Sequence, residues 1–239
     1  ANLDRKSQIW PAVWCGLHYV SHHKELHIMP KPYEFSTEAE LVQRLADTNT
    51  ITSAKTFFAQ QSPSILAVVT TGVAGNTFRA FRNLPVKPSE TFRTWATNYI
   101  EKTFHILSTI SDSHSYAKYV HDATNNLCSE WKRITESDMG YGRGAKLFNL
   151  VLKKFACLSS LSEEQRSTLI DLQHVPLDSY TIIGLRSIAS RLSIPKNATM
   201  KFVETPAQYE EFQAIIRAIT KKAGVPPIYY DVLAWDMGH

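Results

Sequence analysis

The chain has 239 residues, a formal net charge of +4, 44% hydrophobic and 20% charged residues. This composition excludes a disordered chain and gives one large domain or two small ones with a real core. Charges interrupt every apolar stretch well before the ~20 residues that a membrane span needs, so no membrane partner is expected. No cationic start followed by an apolar run and a small-residue cleavage site is legible.

Near the start, His22, His23 and His27 include an i, i+4 pair. The order His-Lys-Glu-Leu-His is not HExxH and no further ligand is evident, so a polar surface patch is expected and no metal. Cys15, Cys128 and Cys157 are odd in number and widely spaced, which points to a reducing compartment without a disulfide framework. A mildly basic balance, with pI near 8.9, fits nucleic-acid binding without establishing it.

The periodicity that follows is mostly helical. Thr37-Glu38-Ala39-Glu40 reads as a helix start with Leu41, Val42 and Leu45 on one face. Ser64 to Val73 is short and apolar, so it reads equally as a strand or a buried helix. Long helices are expected over Pro88 to Ile110 and Ser115 to Ile134, another from about Ala145 to Leu158, and a short one after Ser162. Helices beginning near Ser179, Thr205 and Pro227 complete the chain, with Lys221-Lys222 before Gly224 at a helix C-terminus. The expected fold class is mainly α, a compact two-lobed helical body. The whole chain, 1–239, reads as one domain, with the prolines at 85–88 as the place for a lobe boundary.

Two local signals point to chemistry. Gly140, Gly142 and Gly144 alternate before an apolar helix, which is neither GxGxxG nor a Walker loop. A glycine turn there can lay N–H groups against a phosphate. Leu147, Phe148, Leu150, Val151, Leu152 and Phe155 cover most of that helix and leave a narrow stripe of Lys146, Asn149 and Lys153. Further on, Val175-Pro176-Leu177-Asp178 opens another helix, with Asp178 at its N-cap. One carboxylate oxygen would accept the helix N–H groups, holding the pKa low, while the other faces a cleft.

Together, Gly142-Arg143-Gly144-Ala145-Lys146 and Val175-Pro176-Leu177-Asp178 resemble the helix-hairpin-helix DNA glycosylase superfamily, whose lysine-bearing members read G-x-G-x-K and then V-P-x-D. The 32-residue separation of Lys146 and Asp178 is most similar to that of the archaeal 8-oxoguanine glycosylase/lyase branch, with residues 161–173 as the extra segment. The resemblance implies a helix-hairpin-helix element, Lys146 as nucleophile and Asp178 as its acidic partner. It implies Gly142 and Gly144 N–H groups on DNA phosphates, with Arg143 adding charge. Asp138-Met139 replaces the leucine-proline that often opens the hairpin, Ser179-Tyr180 follows the aspartate, and the cluster-binding cysteine tail of some relatives is absent.

The function expected is excision of a damaged or modified base from DNA, with abasic-site lyase activity as an accompanying option and no cofactor. The target nucleotide would be flipped out and held by aromatics, for which Trp10, Trp14, Trp235 and Tyr229 are candidates. The substrate would be an oxidised base or a bulkier one of the kind viral DNA carries. A cytoplasmic monomer, nucleoid-associated when bound to DNA, is expected. The alternatives are a non-catalytic DNA-binding protein that keeps the hairpin for phosphate contact, and a helical protein-interaction adaptor.

Overall fold

The computed structural model describes residues 33–238, which lie within one compact unit spanning 31–239. The described residues are mainly helical and contain no strand. Trp10, Trp14, Cys15 and the histidines at 22, 23 and 27 lie outside them.

Thr37 caps α1 (Glu38–Leu45) by accepting the Glu40 N–H, and Leu41 and Leu45 are buried. After α2 (Thr48–Phe58), the ambiguous apolar run is a helix, α3 (Ile65–Gly72), capped by Ser64. A 3-10 segment, Gly75–Phe81, leads through Pro85–Pro88 into α4 (Pro88–Leu107). Next, α5 (Ser113–Thr135) starts two residues before the expected Ser115 because the Asp112 carboxylate accepts both the His114 and Ser115 N–H groups. It ends at Glu136, which takes a left-handed φ of 57°.

The central element is α6 (Tyr141–Phe155), packed against α3 on one side and α5 on the other. Gly140 caps it with φ 76°, a conformation L side chains rarely adopt. The helix therefore begins four residues before the expected Ala145. Gly142 and Gly144 are its first turn and not a loop ahead of it. Leu147, Phe148, Val151, Leu152 and Phe155 are all buried, as their spacing requires.

The expected cap at Ser162 forms a full capping box with Gln165 at the start of α7 (Glu163–Leu172). An irregular, buried stretch over 173–178 then leads into α8 (Ser179–Gly184). Two 3-10 turns precede α9 (Pro206–Ala223), which stops at Gly224 in the left-handed region after Lys221 and Lys222. The last helix is α10 (Tyr229–Gly238).

Helix α10 is fastened to α8 by the Tyr230 hydroxyl, which donates to the Thr181 carbonyl at 2.8 Å. It is fastened to α2 by stacking of Tyr229 on Phe58 at 6.4 Å. Helices α2, α3, α6, α8 and α10 thus frame one concavity.

Candidate active site

That concavity is a cleft of about 960 Å³, lined among others by Lys146, Lys153, Asp178, Asp231 and Trp235. Helix α6 supplies these lysines from one face, Lys146 in its second turn and Lys153 two turns later. Asn149 does not share that stripe. It is fully buried and donates to the Ala145 carbonyl and the Tyr209 hydroxyl, each at 2.8 Å. The polar edge of α6 therefore splits, with two lysines facing the cleft and the asparagine facing α9.

Asp178 is placed as its sequence context predicts. Its Oδ1 accepts the Tyr180 N–H at 2.9 Å and the Thr181 N–H at 3.2 Å, and the Thr181 hydroxyl accepts the Asp178 N–H at 2.9 Å. The other oxygen, Oδ2, lies 3.6 Å from Lys146 Nζ, and the two side chains are only 15% and 13% exposed. Two residues distant in sequence thus meet in a poorly hydrated pair, at a spacing beyond a direct hydrogen bond. The expected low pKa of Asp178 does not hold. Burial pushes its carboxyl above the ordinary carboxylate range against the pull of Lys146 and the two N–H donors, and Asp231 adds to the rise.

The glycines serve packing. The Gly142 N–H donates to the Val203 carbonyl at 3.0 Å, and the Gly144 N–H donates to the Gly140 carbonyl at 3.1 Å. Neither group is available to a phosphate in this conformation, which corrects the expected role of both. A Cβ on Gly142 would stand 2.3 Å from the Met200 carbonyl oxygen and 2.4 Å from that of Val203. Only glycine lets this chain segment close over the start of α6. Gly144 faces Cys128 on α5, where a Cβ would stand 3.0 Å from the sulfur. Arg143 remains half-buried, with its guanidinium 5.3 Å from the centre of the Phe81 ring.

A second pair was not read from the sequence. Lys153 Nζ lies 2.6 Å from Asp231 Oδ2, with side chains 12% and 9% exposed, and 4.4 Å from the centre of the Phe57 ring. A lone carboxylate in the apolar run Tyr229-Tyr230-Asp231-Val232-Leu233 was the available signal, since an unpaired buried charge would be costly. Of the aromatic candidates, Trp235 lines the cleft and is 48% exposed. Its ring meets Tyr180 edge-on at 6.1 Å. Tyr229 is buried in the core against Phe58.

A cleft lysine, an aspartate with one oxygen held by the helix start and the other beside that lysine, and an aromatic wall suit nucleophilic substitution at an electrophilic carbon. No family model, no curated protein and no solved structure matches the chain.

Proposed function

We propose that the protein is a DNA glycosylase that excises a modified base through Lys146, with α5 and α6 as its helix-hairpin-helix element. One observation carries this reading. Lys146 Nζ and Asp178 Oδ2 meet at 3.6 Å on the wall of a cleft large enough for a flipped nucleotide.

In this reading burial raises the Asp178 carboxyl above the ordinary carboxylate range, so it can take up a proton. The Lys146 ammonium passes a proton to Asp178, and the freed Nζ lone pair attacks C1′ of the deoxyribose. The C1′–N bond breaks with its electrons on the departing base, which takes up the Asp178 proton. The carboxylate so restored faces the positive charge that develops on the sugar. The bound amine then loses a proton, the C1′–O4′ bond opens with a proton ending on O4′, and a C1′=N imine remains. Loss of a C2′ proton and departure of the 3′ phosphate would follow as β-elimination. Trp235 offers the extruded base a stacking surface.

The occupied Gly142 and Gly144 N–H groups leave neither the glycosylase nor the non-catalytic reading a hairpin amide for phosphate, and the meeting of Lys146 with Asp178 favours the catalytic one. Phosphate contact falls instead to side chains such as Arg143. A set of duplex oligonucleotides, each carrying one oxidised or bulkier modified base, tests the proposal. The parental protein releases at least one base and Lys146→Gln releases none. Release of no base by the parental protein, or equal release by the variant, overturns it.

A further inference from the structure

Residues 173–178 are buried and irregular, and no strand among the described residues takes their backbone groups. Buried N–H and C=O groups need partners, so side chains must supply them. Gln213 of α9 does so in both directions. Its Oε1 accepts the Val175 N–H at 2.9 Å and its Nε2 donates to the Val175 carbonyl at 2.8 Å. Pro176 has no N–H, and its carbonyl accepts from the Thr181 hydroxyl at 3.0 Å. Asp178 follows two residues later.

The same face of α9 carries Tyr209 and Arg217, one turn to either side. Arg217 Nη1 lies 2.9 Å from His174 Nε2, and His174 Nδ1 lies 2.9 Å from the Tyr209 hydroxyl. Arginine only donates, so His174 carries its proton on Nδ1 and donates it to Tyr209. Burial first, and the Arg217 charge second, push His174 down to about 3, so it stays neutral. The Tyr209 oxygen also accepts from Asn149, which stands three residues after Lys146 on α6. One stripe of α9 therefore grips the helix that bears the lysine and the segment that bears the aspartate.

We propose that Tyr209, Gln213 and Arg217 form a positioning element that holds Lys146 and Asp178 in register, with Gln213 setting the place of Asp178. The inference rests on the glycosylase reading for its catalytic consequence, and on the hydrogen bonds above for its geometry. None of the three touches the reacting atoms. A displacement of about 1 Å in a reacting group can cost on the order of a hundredfold in rate, so a clamp of this kind matters to chemistry as well as to folding.

The test compares the parental protein, Gln213→Met, and Ile216→Val as a control that trims a buried α9 side chain outside the clamp. The first readout is the rate of borohydride trapping on a duplex with one abasic site. Gln213→Met should trap roughly tenfold to a hundredfold more slowly at unchanged DNA affinity, while Ile216→Val keeps the parental rate. Gln213→Glu offers the same acceptor and, when protonated, the same donor, so it should return to within about threefold of parental below neutral pH. In an Asp178→Asn background, Gln213→Met should add less than about twofold, because the clamp acts through that carboxylate.

The second readout is the carboxyl carbon resonance of Asp178, assigned by its loss in Asp178→Asn. Its titration midpoint should fall toward the ordinary value near ~3.9 in Gln213→Met and stay put in Ile216→Val. Lys146, Asp231 and Tyr230, which also face that carboxyl, are unaltered in both. Equal trapping by Gln213→Met, the same loss in both backgrounds, or an unmoved midpoint in the folded variant overturns the proposal. Absence of trapping by the parental protein overturns the glycosylase reading, and the titration then decides the clamp alone.

Discussion

Asp178 divides its two oxygens between tasks, Oδ1 to the start of α8 and Oδ2 to the cleft, so substitution can separate them. Asn caps about as well as Asp, so Asp178→Asn keeps the helix start and removes the carboxylate, with its charge and its capacity to take up a proton. Base release should then slow by on the order of a hundredfold or more, while Asp178→Ala also loses ~1 kcal/mol of stability. Equal release by Asp178→Asn and the parental protein would leave the residue a cap. Stability against pH offers an independent check. A carboxyl whose folded pKa is raised contributes stability that is present below its unfolded pKa and lost as pH rises through the folded one. At pH 7 the charged form is therefore a net cost, and Asp178→Asn should melt no lower than the parental protein. That relative advantage should shrink on acidification, as read by melting curves from pH 3 to pH 8. A much lower melting temperature for Asp178→Asn at pH 7 would mean that the pair with Lys146 outweighs burial. Lys146 and Asp178 were both legible in the sequence, because one follows a glycine pattern and the other a capping pattern close by in the chain. Asp231 was not, because its partner Lys153 reaches it only through folding.

The elements tell a similar story about range. The caps at Thr37, Ser162, Asp178 and Thr205 act within three residues, and helix starts followed from them closely. The run over 64–73 stayed ambiguous because apolar residues cover a short helix and a short strand alike. The glycines were misleading for a different reason. What requires Gly142 is the backbone at Met200 and Val203, far along the chain, and no local pattern carries that contact. Gly142→Ala should therefore cost ~1–3 kcal/mol by forcing two backbone carbonyls away, beyond any gain in helix propensity. Gly144→Ala meets a side-chain sulfur at 3.0 Å, which can yield, and should cost less. Denaturant unfolding of both variants checks the order. A neutral or stabilising Gly142→Ala would contradict the close approach over α6.

At the scale of the whole molecule, five helices frame one cleft in which α6 brings Lys146, Lys153 and Lys154, α8 brings Asp178 and α10 brings Asp231 and Asp236. The mainly helical class was legible from periodicity alone. The cleft was not, since its walls come from helices that are remote in sequence and meet through buried rings and backbone contacts. The pairings of Lys146 and Lys153 make the central claim specific. Lys146 pairs with Asp178 at 3.6 Å, beyond a hydrogen bond, whereas Lys153 is bound to Asp231 at 2.6 Å and lies against Phe57. In the proposed reading the looser pair supplies the amine. Borohydride trapping on an abasic-site duplex, followed by mass-spectrometric mapping of the modified peptide, tests this most directly. The account predicts one covalent adduct, on Lys146, lost in Lys146→Gln while DNA binding persists. An adduct on Lys153, undiminished trapping by Lys146→Gln, or no adduct at all would contradict it.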